Sequence, residues 1–511
     1  MSDWTAGYLT DVGYTYGYYT ELNPLRVRLA FLHSRLKFPE IGAACELGFG
    51  QGLSVNIHAA ASQTQWFGTD FNPSQAWFAQ DLAAISGSGA QLYDQAFAEF
   101  CNSTDLPDFE YIGIHGIWSW ISDENRAVII DFIRRKLKVG GVLYISYNTQ
   151  PGWAAMVPLR DLLTEHYEVM GTAGQGIVSR IDGALAFVDK LFSVNPAYAS
   201  ANPQVTERIK NMKEHDRNYL AHEYFNRDWH PMPFSRLAEW LAPTKLSYAC
   251  SAHYLDQINA VNLTAEQLAL LAELPDAMFR ETVRDFMVNQ QFRRDYWVKG
   301  LRTIAAHELD DSVRAQQLIL AQPRDKVMLK INSSRGVVTM QEAIYGPILD
   351  CLADHQSRTL GQLEQSLKES GIHFYQLLEA VMILAGNGTL LATQNEAAAS
   401  KAGDKTKKLN ACLLNKARNS GAISGLASPV TGGGIAVGRF QQLFLLASSQ
   451  GKTKPADWAE YAWQVLASQN QRILKDGRPL ESETDNVAEL NEQAKEFADQ
   501  QLPILENLGV V

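Results

Sequence analysis

Residues 43–52 read Ala-Ala-Cys-Glu-Leu-Gly-Phe-Gly-Gln-Gly, an apolar run carrying one acid, Glu46, and closing on three alternating glycines, Gly48, Gly50 and Gly52. Ala43–Leu47 has the pattern of a buried strand and Leu53–Ala61 that of a helix. A glycine-rich turn between the two lies at the carboxyl end of the strand, where ligands bind in doubly wound sheets. Glycine suits that place because a Cβ would block a ligand's approach to the backbone, and because a tight turn can demand positive φ. The helix start behind it offers unpaired N–H groups.

Working outward, the alternation continues. Gln65–Thr69, Gln91–Tyr93, Tyr111–His115 and Val142–Tyr147 read as strands, Ser74–Ile85 and Glu124–Leu137 as helices, and Gly140-Gly141 as the turn into the last strand. Such spacing implies a parallel sheet covered on both faces. Ahead of it lies a tyrosine-rich segment (Tyr8, Tyr14, Tyr16, Tyr18, Tyr19) followed by a helix over Pro24–Lys37. Helical periodicity dominates 151–320, broken by aromatic and charged clusters at 219–231 and 292–299. Residues 340–396 order three helices and a short strand, as a winged-helix module does. Asn395–Lys408 is polar and weakly patterned and reads as an exposed linker, and Val487–Gln501 as an amphipathic helix. The expected fold class is therefore α/β, in four parts. A cap (1–40) covers a Rossmann-like cofactor domain (41–200), followed by a mostly helical regulatory or substrate domain (201–325) and a winged-helix-like α+β domain (326–511).

Composition narrows the function classes. At 511 residues the chain needs several cores, and 46% apolar with 20% charged residues is ordinary globular composition. A formal charge of −11 disfavours a nucleic-acid acceptor, since phosphate binding needs concentrated Lys and Arg. The start carries no basic and apolar signal pattern and no run approaches the ~20 apolar residues of a membrane span, so a cytoplasmic location without membrane insertion is expected. Cys45, Cys101, Cys250, Cys351 and Cys412 lie far apart, without metal-ligand spacing, and read as reduced packing residues; no metal is expected.

The turn itself selects the cofactor. A nicotinamide enzyme prefers GxGxxG, with pyrophosphate on the helix end; here the spacing is GxGxG with Glu46 two positions before the first glycine. A carboxylate beside N–H donors suits the zwitterionic amino-acid end of S-adenosyl-L-methionine, which leaves as S-adenosyl-L-homocysteine. Gly48, Phe49, Gly50 and Gly52 form the turn, and Asp70, some twenty residues on with Phe71 beside it, is placed to accept the ribose hydroxyls. Asp94, Gln95, Ala96 and Phe97 at the third strand end can bond and pack an adenine.

These stretches, together with residues 109–120 (Phe-Glu-Tyr-Ile-Gly-Ile-His-Gly-Ile-Trp-Ser-Trp), 146–153 (Ser-Tyr-Asn-Thr-Gln-Pro-Gly-Trp), 222–225 and 292–300, resemble bacterial class I methyltransferases carrying a methyltransferase regulatory domain. That group includes rickettsial protein-lysine methyltransferases. The resemblance covers most of the chain and is most specific over 1–300. It implies a Rossmann-like catalytic domain, a helical domain over its mouth and a winged-helix-like C-terminus. It also implies that Tyr14 and Tyr18 cover the bound cofactor.

Methyl transfer from a sulfonium is an in-line displacement, so the protein must align the acceptor and exclude water, and a lysine acceptor must lose a proton. His115 and Asn148 follow the fourth and fifth strands and should face the methyl end. Trp118, Trp120 and Trp153 are candidates for the walls of an acceptor channel. Tyr219, His222, Glu223, Tyr224, Trp229 and His230 form a polar-aromatic cluster fit to recognise an ammonium. His115, Glu223 and Tyr219 are the candidate catalytic groups; Trp118, Asn148, Trp153, His222, Tyr224 and Trp229 are the candidate acceptor contacts. Protein lysine is the first expectation for the acceptor. A carbohydrate or small metabolite, a binding protein that senses the cofactor without turnover, and a nicotinamide oxidoreductase are the alternatives. A homodimer is compatible with these features.

Overall fold

The computed structural model describes the chain except residues 1–4, 6, 10–12 and 173. Helix α1 (Leu25–His33) precedes β1 (Ala43–Leu47), α2 (Leu53–Ala61), β2 (Gln65–Thr69), α3 (Pro73–Ser86), β3 (Gln91–Tyr93), the single turn α4 (Phe97–Phe100), β4 (Phe109–Ile114), α5 (Asp123–Lys136) and β5 (Leu137–Asn148). Then come α6 (Val157–Val169), α7 (Ile177–Ser193), α8 (Ala197–Ala201), α9 (Pro203–Glu214), α10 (Arg217–Tyr224) and α11 (Phe234–Leu241). These lead to β6 (Leu246–Ser251), α12 (Asn259–Asn262), α13 (Ala265–Glu273), α14 (Ala277–Val288) and β7 (Phe292–Lys299).

A seven-stranded sheet in the order β3-β2-β1-β4-β5-β7-β6 organises this half. β1 lies in its interior, parallel to β2 and β4, with Ala44, Cys45 and Leu47 fully buried. The parallel strands β3 to β5 follow the sequence expectation. Gly140-Gly141 does not turn into β5, because that strand already begins at Leu137 and the pair lies within it.

Two expectations fail at the sheet's other edge. The cluster at 292–299 is the strand β7, antiparallel to both β5 and β6, so the sheet runs past the boundary drawn at residue 200. Its polarity hides it, since Arg293 is buried among Asp285 (2.6 Å), Glu281 (2.8 Å) and Asp295 (2.9 Å). A charge compensated in this way can sit in a core strand that period and hydropathy do not reveal. Between β5 and β6 the helices α6 to α10 form a separate core around Trp153, Leu159, Ile181, Ile209 and Leu220, while α11 packs on the sheet through Phe234, Leu237 and Leu241.

The C-terminal half is not one unit. A first part runs through α15 (Ala306–Arg314), β8 (Gln317–Leu320), the hairpin β9 (Lys330–Ser333) and β10 (Gly336–Thr339), α16 (Glu342–Asp350), β11 (Arg358–Thr359), α17 (Leu360–Ser366), α18 (Phe374–Gly386) and β12 (Leu390–Ala392). Its small sheet has the order β11-β8-β12. The presumed linker at 395–408 is instead the first half of α19 (Glu396–Lys416), which buries Ala402, Thr406, Leu409 and Leu413. Alanines and lysines make it a good helix former, and its sparse apolar face packs on α2 and α3. A hairpin of β13 (Gly425–Ser428) and β14 (Gly433–Ala436), then α20 (Arg439–Ser449), α21 (Pro455–Ala467), the short pair β15 (Leu474–Lys475) and β16 (Arg478–Pro479), α22 (Glu483–Glu496) and α23 (Leu502–Asn507) complete the chain. This last part shares one core with Leu53, Ile57 and Leu82 of α2 and α3. Among the described residues no helix is long and apolar enough to cross a membrane.

Candidate functional site

The carboxyl ends of β1 to β4 open into one pocket. Glu46, Gly48, Phe49 and Gly50 come from β1 and its turn, and Asp70 and Phe71 from the end of β2. Gln95, Ala96 and Phe97 come from the end of β3, His115 and Trp120 from beyond β4, and Tyr8, Tyr14 and Tyr19 close it from the N-terminal arm. Gly50 adopts φ +57°, and a Cβ there would lie 3.0 Å from the Tyr14 ring. Neither the turn nor the approach of the arm tolerates a side chain at that position.

Asp70 is fixed by the turn it faces. The Gly50 N–H donates to its Oδ2 (2.9 Å) and the Asn72 N–H to its Oδ1 (3.0 Å). Burial nevertheless raises its pKa to about 7 against those two bonds. Glu46 is pushed up to about 8, first by burial and then by the charge of Asp70. Among the described residues its Oε2 has no hydrogen-bond partner. Two carboxylates thus share a buried pocket, and among the described residues no cation is bonded to either, an arrangement that calls for a ligand bringing positive charge and hydroxyl donors.

A chamber of about 320 Å³ adjoins the pocket and shares Tyr8, Tyr14, Tyr19, His115, Gly116 and Trp120 with it. Asn148, Trp153, Tyr219, His222 and Glu223 face into it, joined by Arg208, Gln291 and Phe292. Burial raises the Glu223 carboxyl to about 7, while the Arg208 guanidinium and the Asn148 amide hold it lower than burial alone would. His115 is the opposite case. Burial depresses it to about 4, its ring lies 3.9 Å from that of Tyr19, and its Nδ1 meets the Tyr144 hydroxyl at 2.8 Å. At neutral pH it is an uncharged imidazole held between two tyrosines. An outer groove of about 510 Å³ shares Arg208, Tyr219 and Gln291 with the chamber. A cavity of about 630 Å³ under α13 and α14 is larger but touches none of the strand ends β1 to β4.

Most expected site residues meet in this pocket and chamber; six do not. Tyr18 points the other way, its hydroxyl 3.2 Å from His58 Nε2 and its ring against the β13–β14 hairpin, in an irregular arm where no strand period sets the facing. Tyr19, a further tyrosine of that segment, covers the site instead. Gly52 caps α2 and faces Ala79, where a Cβ would come within 2.4 Å, so it serves helix packing. Asp94 is exposed and off the pocket wall. Trp118 is fully buried under Arg126 and Trp240, and Trp120 lines the site in its place. Tyr224 lines the outer groove, and Trp229 packs edge-on behind Trp153 (5.2 Å). Arg208 and Gln291 carried no sequence signal, since a single polar residue on a helix or before a strand reads as solvated surface.

Comparison with known proteins places the chain. It is 39% identical to the Synechocystis sp. (strain ATCC 27184 / PCC 6803 / Kazusa) protein sll1526 over 512 residues, covering 99% of each. The chain belongs to that protein's family. Residues 216–299 match the family described as a predicted methyltransferase regulatory domain. The Rickettsia prowazekii (strain Madrid E) protein RP789 is 23% identical over 64% of this chain and 59% of its own length. Among solved structures, PKMT2 from Rickettsia typhi in complex with AdoHcy superposes with a TM-score of 0.69, at 16% identity, over 97% of this chain and 99% of that one. The chain thus shares the fold of PKMT2, the C-terminal half included. The matched regulatory region contributes α10 with Glu223 and the last two strands of the sheet, β7 and the edge strand β6, so it is built into the seven-stranded sheet.

Proposed function

We propose that this protein is an S-adenosyl-L-methionine-dependent methyltransferase and that it methylates lysine side chains of a protein. The observation that carries the cofactor reading is the buried Glu46 and Asp70 pair at adjacent strand ends, opening onto a chamber that holds a third buried carboxyl, Glu223. The fold shared with PKMT2 from Rickettsia typhi, solved with AdoHcy, supports the same reading. The residues present fit such a cofactor: Asp70 would accept from ribose hydroxyls, Glu46 would face the cationic amino-acid end, and Phe71 and Phe97 would flank the base. When bound, the cofactor supplies an electrophilic methyl group.

The chain's own residues do the rest. Tyr8, Tyr14 and Tyr19 close the pocket and, with Trp120, wall it from water, which strengthens every polar interaction inside. Glu223 is set to take the proton of an approaching ammonium, because a carboxyl near pKa 7 is part ionised at neutral pH and remains a competent base. The outer groove favours an acceptor whose reacting atom sits on a long arm, with its body outside, over a compact metabolite. The β11-β8-β12 unit with α16, α17 and α18 supports a winged-helix-like part, and α18 carries no Lys or Arg, which favours a protein contact over DNA.

Calorimetry tests the first half: tight binding of S-adenosyl-L-homocysteine, none of NAD, and an affinity about 100-fold weaker for Asp70→Asn, from two charge-assisted bonds of about 1.5 kcal/mol each. Unchanged affinity in Asp70→Asn removes that residue from the site. Incubating labelled cofactor with a lysate of the parent cell tests the second half. Label in small molecules rather than in protein lysine refutes the acceptor assignment.

A further inference from the structure

We propose that Arg208 is a specificity-determining residue that binds an anionic group carried by the acceptor beside its methylated nitrogen. The inference rests on reading the chamber as the acceptor site and refines it.

Arg208 projects from α9 and borders both the chamber and the outer groove, so with Tyr219 and Gln291 it forms the neck between them. Whatever reaches from the groove to Glu223 passes it. Its guanidinium lies over Trp153, the central carbon 3.7 Å from the ring centroid. Its hydrogen bonds are long and go to neutral oxygens, Nε to the Tyr224 hydroxyl at 3.3 Å and Nη1 to Gln291 Oε1 at 3.5 Å.

Two other cations of these helices are paired with carboxylates. Arg217 reaches Asp182 at 2.7 Å, and Lys210 reaches Glu207 at 3.4 Å. Behind the chamber Arg293 is surrounded by three carboxylates. Among the described residues no carboxylate lies within ion-pair distance of Arg208. A planar fork already lying over an indole is oriented before binding and matches a carboxylate bidentately at little entropic cost.

The chamber therefore presents a negative group at its inner end, Glu223, and a positive one at its neck. The complement is an acceptor that is positive at the reacting nitrogen and negative close by. For a protein acceptor this is a lysine flanked by Asp or Glu. Basic flanks would set a second cation against Arg208.

The test uses the full-length protein and two short acetylated, amidated peptides, one with its lysine between aspartates and its twin with the lysine between alanines. Expected is a kcat/KM about tenfold higher for the acidic peptide, the size of one good charge-assisted contact. Arg208→Gln should bring the ratio to about one, and Arg208→Lys should keep part of it, because lysine retains the charge but not the fork. Calorimetry on the S-adenosyl-L-homocysteine-loaded protein reads the same preference without turnover and certifies that each variant still folds and binds cofactor. Equal handling of both peptides by the unmutated protein, or equal losses for both in Arg208→Gln, overturns this assignment alone. Failure of both peptides to bind overturns the lysine acceptor as well.

Discussion

Glu46 and Asp70 act on one another through a shared loss of solvent. In the free protein both sit above the ordinary carboxyl range, near 8 and 7, so around neutral pH the free site binds more protons than an occupied one stabilised by a cationic ligand. The sign follows: cofactor binding releases protons between about pH 5 and 8, affinity rises with pH over that window, and the dependence flattens above it, where both groups are already ionised. Calorimetry in buffers of different ionisation enthalpy checks this, and proton uptake on binding would contradict it. Glu223 belongs to the other chamber and should behave independently. Glu223→Gln keeps the shape and removes the base, so kcat should fall by at least about 100-fold with cofactor affinity unchanged; a variant with full turnover excludes Glu223 from proton transfer. His115 is a less suitable proton acceptor, because its neutral ring is already bonded through Nδ1 to Tyr144 and its pKa near 4 leaves it a weak base.

Element by element, β7 makes the sharpest demand on packing. Arg293 is the counter-charge for Asp285, Glu281 and Asp295, and Asp295 also accepts from the Tyr147 hydroxyl of β5 (3.2 Å). Arg293→Met would strand buried carboxylates and should cost about 3–5 kcal/mol, read as a large drop in the urea midpoint; a midpoint close to the original would mean the network is dispensable. The same strand marks where sequence reading stops. β1 to β5 are legible because apolar strands alternate with amphipathic helices, and the glycine turn and Asp70 follow from strand ends alone. β7 is not, because its charges cancel only in three dimensions. α19 is missed for the converse reason: its apolar positions are few and matter only against α2 and α3. Side-chain direction was the further limit at the site. Tyr14 against Tyr18, or Trp120 against Trp118, is a choice of face in an irregular segment where no period applies.

Across the whole molecule the C-terminal region is tied to the cofactor pocket through the N-terminal arm. Gly425 and Gly434 of the β13–β14 hairpin lie against Tyr18, while the next residue, Tyr19, donates its N–H to Ser54 Oγ (2.9 Å) and sets its ring on His115. On the same side α19 to α23 close one core with Leu53, Ile57 and Leu82 of the helices behind β1 and β2. A chain ended at Asn395 would therefore expose the outer faces of α2 and α3, and it should aggregate or bind a hydrophobic dye instead of unfolding cooperatively. Gly434→Ala asks the same question in a chain that keeps this core. A Cβ at that position would come within 2.8 Å of the Tyr18 ring, so the arm must shift while the hairpin stays paired. Affinity for S-adenosyl-L-homocysteine should weaken by about tenfold, the scale of one displaced aromatic contact of ~1 kcal/mol together with poorer closure, with little loss of melting temperature. If the truncated chain is monodisperse and binds cofactor normally, or if Gly434→Ala binds as the unmutated protein does, the C-terminal region is an appendage to the catalytic half and not a support of its lid.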